Sequence, residues 1–277
     1  MTLDDLLLDK LTRSQLESMA SNMPQAVLLS GPEGVGLKTI AISIAGRELS
    51  SVIEPMNTKG EQDTATGSIS VDRIRELYDQ SKSVSTTKQF IVIDDAERMT
   101  PAAQGAFLKL LEEPATMVYF ILTSHLPLKL LPTVRSRLQQ VEIRPATKKQ
   151  TDELLVSLGI DKTSDHQKYQ FIASGLPAEI SRLKSDEKYF QSRSEVIVDA
   201  RDFLQASTYK KLLLVSRYQA NRDASLGLID ASMMILRRTV AAQPNPATIA
   251  KLDELLTARE NIARNYSARL QLTRLVL

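Results

Sequence analysis

A glycine-rich turn near the N-terminus narrows what this chain can fold into more than any other feature. Ala26-Val27-Leu28-Leu29 is a short apolar run, Gly31-Pro32-Glu33-Gly34-Val35-Gly36 follows it, and Thr39-Ile40-Ala41-Ile42-Ser43-Ile44-Ala45 continues with helical character. A strand that turns through glycines into a helix is the building unit of a parallel sheet covered by helices, and its loop turns backbone N–H groups toward phosphate. In a working loop of this kind, the residue after the last glycine is a lysine that bridges the outer phosphates, and the next Ser or Thr holds magnesium. Here Leu37 and Lys38 stand in those two places. Each charge-assisted hydrogen bond lost is worth about 1.5–3 kcal/mol, so the pattern predicts that turnover of Mg-ATP is crippled. A shifted register, with Lys38-Thr39 as the Lys-Thr pair, is geometrically poor. One residue along a helix turns a side chain by about 100° and lifts it by about 1.5 Å, which aims Lys38 away from a phosphate held by Gly34 and Gly36.

The rest of the first half has the same alternating character. Ala26 to Ser30 reads as the first strand, and Asn57 to Ser68 has the composition of a surface loop. Val71, Ile74, Leu77 and Tyr78 recur at helical spacing after Ser70, which predicts a helix with Ser70 as its cap. Phe90-Ile91-Val92-Ile93 is apolar on both faces and ends in Asp94-Asp95, as expected of a central parallel strand whose end meets a ligand crevice. Thr100-Pro101 opens a helix as N-cap and first residue, with Ala106, Phe107, Leu110 and Leu111 inward, and Glu112-Glu113-Pro114 closes it. Met117 to Leu122 is a further strand leading to Thr123-Ser124, and Leu138 to Ile143 a last one.

After Pro145 the pattern becomes helical. Residues 148–158, 164–174 and 177–184 read as a small helical unit, and 187–277 as a bundle of long helices, broken at Gln243-Pro244-Asn245-Pro246. The expected division is therefore 1–145 α/β, 146–186 a small helical domain, and 187–277 all-α. Apolar residues recur at Leu212 to Val215 and at Leu252, Leu255 and Leu256, and the Leu/Val-rich helices near 212–216 and 228–240 are expected to serve both the bundle's own core and a partner. A length of 277 residues with 43% hydrophobic and 25% charged suits such an assembly of compact units. The net charge of +2 lacks the basic excess of a protein that grips nucleic acid unaided. No stretch approaches the ~20 apolar residues of a membrane span, and the start, Met1-Thr2-Leu3-Asp4-Asp5, is acidic where a secretory signal is basic. A cytoplasmic protein without membrane contact is expected. The absence of cysteine excludes disulfides and thiolate metal sites, and two histidines, His125 and His166, are too few for a histidine zinc site.

Four segments in order carry a resemblance. They are Gly31 to Gly36; Ile69-Ser70-Val71-Asp72-Arg73-Ile74-Arg75-Glu76-Leu77; Ile93-Asp94-Asp95-Ala96-Glu97-Arg98-Met99-Thr100 leading into Ala102 to Pro114; and Leu131-Pro132-Thr133-Val134-Arg135-Ser136-Arg137. Together the set resembles the bacterial sliding-clamp loader ATPase family, and within it the delta-prime subunits of DNA polymerase III, over roughly residues 25–185. The resemblance implies an AAA+ phosphate-loop domain with a parallel sheet, a small helical lid and a C-terminal helical collar that joins a ring of about five subunits. Its implied partners are ATPase subunits and a delta-like subunit, with the sliding clamp and primed DNA reached through the assembly. The delta-prime kind hydrolyses nothing itself: it acts as a stator and lends an arginine to its neighbour's ATP site.

Carried onto this chain, that arginine is Arg137, in Ser136-Arg137-Leu138 where the family has Ser-Arg-Cys; its bland alternative is a solvated arginine beside Arg135. Arg135 is expected to pair with a carboxylate near the sheet edge. Gly31, Gly34, Gly36, Lys38 and Thr39 form the degenerate nucleotide loop. Asp94 matches a magnesium-directed aspartate and is expected to be structural here, and Asp95 replaces the glutamate that positions the attacking water. Thr123, or Ser124 beside it, matches a sensor of the γ-phosphate. In the lid, Leu176 occupies the place of a phosphate-contacting arginine, and the four-cysteine zinc module of many relatives is missing. No metal and no cofactor are expected, with Mg-ATP held at most weakly. Thr100 could expose helix N–H groups to a DNA phosphate, an ordinary cap being the simpler reading. The rival to a stator is an ATP-hydrolysing motor subunit that uses Lys38 and Thr39 in a shifted loop; a diverged adaptor outside replication is a third possibility.

Overall fold

A computed structural model describes residues 3–63, 66–81, 87–160 and 164–277, so the first two residues and Thr64-Ala65 of the expected surface loop lie outside it. The chain divides into two compact units, Met1–Arg182 and Leu183–Leu277. In chain order the first contains α1 (Lys10–Ser21), β1 (Ala26–Ser30), α2 (Leu37–Ala45), β2 (Leu49–Ile53), α3 (Val71–Ser81), β3 (Gln89–Ile93), α4 (Pro101–Glu112), β4 (Val118–Ser124), the short α5 (Pro132–Arg135), β5 (Gln139–Glu142), α6 (Lys148–Ser157) and α7 (Ser164–Ala173). α8 (Pro177–Ser185) begins in this unit and runs past its boundary.

The five strands form one parallel sheet in the order β2-β3-β4-β1-β5. Because side chains alternate across a strand, each central strand feeds two cores. Val27 and Leu29 of β1, Phe90 and Val92 of β3 and Ile121 of β4 pack with Leu16 and Met19 of α1 and Leu37, Ile40 and Ala41 of α2. Leu28, Ile91, Ile93, Phe120 and Leu122 pack on the other face with Ile74 and Leu77 of α3 and Phe107 and Leu110 of α4. Phe107 meets Phe120 edge-on, with ring centroids 5.3 Å apart, which pins α4 to the sheet.

The cap of α4 follows the expected chemistry. Thr100 Oγ1 accepts from Ala103 N at 3.2 Å, and Pro101 opens α4. The sheet holds one strand beyond those read from the sequence, β2, and α1 also escaped that reading. Leu49-Ser50-Ser51-Val52-Ile53 is an edge strand with two serines and only Ile53 buried, so it lacks the continuous apolar run that betrays a central strand. It is long-range pairing to β3 that makes it a strand.

The second unit is all helix: α9 (Glu187–Gln205), α10 (Thr208–Tyr218), α11 (Arg222–Ala242), α12 (Pro246–Ala263) and α13 (Ala268–Arg274). α11 buries Leu228, Ile229 and Met233, and packs against α9, which buries Ile197 and Phe203, and α12, which buries Leu255 and Ile262. The break before α12 is capped by Asn245, whose Oδ1 accepts from Ala247 N at 2.9 Å. Of the apolar run in α10, Val215 is buried while Leu212 and Leu213 are exposed. Among the described residues no helix is long and apolar enough to cross a membrane.

Candidate functional site

At the carboxyl end of the sheet, β1 runs out into the glycine loop. Gly34 and Gly36 have φ of 83° and 94°, in the left-handed region where a side chain is disfavoured, and Gly36 is the N-cap of α2. Leu37 follows as the first residue of α2, with its side chain in the core at 2% exposure. Lys38 turns instead toward the strand ends. Its Nζ pairs with Glu54 Oε1, immediately after β2, and lies 3.8 Å from Asp94 Oδ2, immediately after β3. Thr39 lines a cavity of about 730 Å³ with Leu6, Val35, Ile40 and Ala178.

Asp94 is buried. Its Oδ1 accepts a 2.6 Å hydrogen bond from Thr123 Oγ1, and the same hydroxyl accepts from Asp95 N at 3.0 Å, so Thr123 ties β4 to the end of β3. Asp95 adopts φ 48°, a left-handed conformation that aspartate tolerates better than most residues. Burial, reinforced by the charges of Asp94 and Glu97 and opposed by His125 and Arg98, raises the Asp95 carboxyl above its ordinary value. His125 crosses this cluster. Its backbone N donates to Glu97 Oε1 at 3.0 Å, its Nδ1 lies 2.8 Å from the carbonyl oxygen of Gly31, and its Nε2 lies 3.9 Å from Asp95 Oδ1. A carbonyl oxygen only accepts, so Nδ1 carries a proton in this arrangement.

The glycine loop also meets α8. Gly34 O accepts from two backbone groups in the first turn of that helix, Ala178 N at 3.0 Å and Glu179 N at 3.2 Å. Two of the N–H groups that a helix leaves unsatisfied at its start are thereby consumed by the loop. A Cβ built on Gly34 would stand 2.9 Å from Glu179 Cβ, and Leu176 packs partly buried against the same core as Leu37.

Arg137 lies at the opposite end of the sheet. It precedes β5, which pairs with β1 in the register Val27↔Gln139 and Ser30↔Glu142, so Arg137 stands level with the start of β1 while Gly31 follows its end. Continuing that register sets Arg137 opposite Gln25, six residue steps before Gly31, or about 20 Å at ~3.3 Å per residue. Its Nη2 donates to Glu112 Oε1 at 2.8 Å and its Nη1 to Thr133 O at 3.1 Å, with both charged side chains partly exposed. Arg135 departs from expectation: among the described residues no carboxylate pairs with it, and its Nε is buried without a hydrogen-bond partner.

This arrangement has counterparts. A family model described as DNA polymerase III, delta subunit, matches residues 50–147. The delta' subunit of DNA polymerase III from Pseudomonas aeruginosa PAO1 is 27% identical over 215 residues, covering 69% of this chain and 65% of that one. Over part of its length the chain is thus similar to clamp-loader subunits of DNA polymerase III. The gamma/tau subunit of Mycobacterium tuberculosis H37Rv is 32% identical over 146 residues, 45% of this chain, and the match spans only 25% of that subunit's length. A DNA polymerase III gamma subunit-related protein from Thermotoga maritima superposes with a TM-score of 0.58 at 17% identity, covering 95% of this chain and 97% of its own. A RuvB variant from the same organism gives 0.51 at 15%. These structures establish the AAA+ fold that the clamp-loader resemblance implied.

Four residues at the two ends of the sheet were not singled out from the sequence: Glu54, Glu97, His125 and Glu112. Glu54 is sixteen positions from Lys38 and Glu112 twenty-five from Arg137, so only the pairing of strands and helices brings each to its partner. The carboxylates near Asp94 do not form a metal cage: among the described residues no group of three or more His, Cys, Asp or Glu is placed to hold a metal.

Proposed function

We propose that this chain is a non-hydrolysing, delta-prime-like subunit of a DNA polymerase III clamp loader, a stator whose Arg137 completes the ATP site of a neighbouring subunit during loading of the sliding clamp on primed DNA. The observation that carries this reading is the placement of Arg137 about 20 Å along the sheet from its own glycine loop. From there its guanidinium cannot serve this chain's own loop, which supports a role toward a second molecule. Transition-state arginines supplied in this way contribute about 10³–10⁵ in rate in other nucleotide hydrolases. The proposed partners are ATPase subunits and a delta-like subunit in a five-membered ring, in the cytoplasm.

The silent loop is supported separately. A magnesium triphosphate does not fit the residues present: the lysine slot holds Leu37, which is buried, Lys38 is already paired beside Asp94, and the Gly34 carbonyl carries the first turn of α8. Leu176 offers no charge where active relatives have an arginine. The rival, a motor subunit using Lys38 and Thr39, draws on one observation, the cavity of about 730 Å³ that Thr39 lines beside the loop.

Reconstitution of the loader with Arg137→Ala tests the leading reading. The complex is expected to assemble while its DNA- and clamp-stimulated ATPase falls by about 10³-fold; unchanged turnover would sink the proposal. Titration of the isolated chain with fluorescent Mg-ATP addresses the rival, since micromolar binding lost in Lys38→Ala would make this a motor.

A further inference from the structure

The carboxylates that end β2 and β3 have a positive charge of their own. Asp94 and Glu54 have side chains 11% and 22% exposed, and both turn toward Lys38 Nζ. An ionised carboxylate so far removed from water requires a compensating charge. Thr123 supplies Asp94 with a hydrogen bond, and Gln62 Nε2 supplies one to Glu54 Oε1 at 2.5 Å, but neither supplies charge. His125 and Arg98 act on Asp95, the next residue. Lys38 alone among the described residues brings a cation within ion-pair distance of Asp94.

Lys38 also stands at the sequence position where a working loop has the Ser or Thr hydroxyl that binds magnesium. We propose that the Lys38 ammonium is a resident cation, held by α2 where a divalent ion would face Asp94, so that the strand ends are neutralised by the chain itself and take no divalent ion. An ammonium brings one charge and three donors on a flexible stem. Magnesium requires six oxygens in near-octahedral order and keeps several waters, and a positive side chain 3.8 Å from Asp94 opposes its approach by like-charge repulsion. This goes beyond the absence of hydrolysis. It assigns Lys38 a role that needs no nucleotide and no partner, and it makes the end of the sheet indifferent to magnesium.

The test uses the purified full chain with Mn²⁺ as the probe, read by electron paramagnetic resonance, and thermal unfolding in MgCl₂ against NaCl of equal ionic strength. The wild-type chain is expected to leave millimolar Mn²⁺ free and to melt at the same temperature in both salts. Lys38→Met, which keeps the aliphatic stem and removes the charge, is expected to lower the Tm by about 2–4 °C. It should also gain Mn²⁺ binding that Asp94→Asn abolishes, with MgCl₂ restoring part of the lost Tm. Lys38→Thr, which supplies the hydroxyl of a working loop, should bind Mn²⁺ more tightly than Lys38→Met. Mn²⁺ bound by the wild-type chain in an Asp94-dependent way would overturn the proposal, and so would two folded variants that gain no Mn²⁺. The wild-type titration decides the matter even if Lys38→Met does not fold. None of these readouts involves Arg137 or ATPase activity, so the clamp-loader reading stands or falls apart from them.

Discussion

The two ends of the parallel sheet are built to opposite plans. At the carboxyl end the polar groups are spent on one another: Lys38 on Glu54 and Asp94, Thr123 on Asp94 and Asp95, His125 on Gly31, and the Gly34 carbonyl on α8. At the amino end Arg137 holds one partly exposed carboxylate and one carbonyl, and its guanidinium stays within reach of solvent. Asp94 and Thr123 are buried, and buried polar groups that satisfy each other are costly to disturb, whereas ion pairs as exposed as those of Lys38 and Arg137, at 39% and 40%, contribute less and exchange partners more readily. The glycine-loop end is thus tied to buried partners at Asp94 and Thr123, while the end that carries Ser136-Arg137-Leu138 holds its arginine in a pair open to solvent.

That contrast can be broken most sharply at Arg137. Arg137→Ala should cost about 10³-fold in a partner's ATPase while changing the chain's own stability by less than about 1 kcal/mol, because the pair with Glu112 is half exposed. Urea unfolding of the isolated chain beside ATPase of the assembly measures both. Gly34→Ala should show the reverse. It places a side chain at φ 83° and against Glu179 Cβ, for a loss of about 1–3 kcal/mol, and hydrogen exchange should show the amides of Ala178 and Glu179 losing protection.

Thr123→Val removes the donor to buried Asp94 and the acceptor of Asp95 N without changing shape. It should cost about 1–3 kcal/mol in chemical denaturation, and a loss near zero would mean that the strand ends are less closely knit than the distances imply. The smallest effect belongs to Asp95. Its folded carboxyl is raised above the unfolded value of 3.8, so between those two values the folded chain keeps a proton that the unfolded chain has lost. Stability contributed by this group therefore falls as pH rises through that interval and is flat above it. Asp95→Asn should remove that slope and leave the chain slightly more stable at neutral pH, the amide also suiting the left-handed backbone. Stability measured at a series of pH values in both chains checks the sign.

Much of this architecture could be read from local pattern. The glycine loop, the double-faced apolar run ending in Asp94-Asp95, and the Thr100-Pro101 helix start all rest on neighbours in sequence, and each formed where expected. β2 did not announce itself, because an edge strand with two serines has no pattern of its own until β3 lies beside it. The site was legible as a set of residue types but not as a set of contacts. Leu37 could be read as a missing charge, yet nothing in the order of residues said that its side chain would join the core or that Lys38 would find Glu54.

The sequence by itself determined the alternation of strands and helices, the glycines at the loop and the residues that stand where catalytic ones are usual, since these depend on spacing and on backbone preferences within a few residues. Only the tertiary structure decided which charges neutralise one another and which remain available. Strand register placed Arg137 and the glycine loop at opposite ends of one sheet, and helix packing put α8 on Gly34 and Lys38 beside Asp94. Electrostatic and hydrogen-bond partners are fixed by distances of a few ångströms between groups far apart in sequence, and a linear order of residues does not contain those distances until the chain has closed on itself.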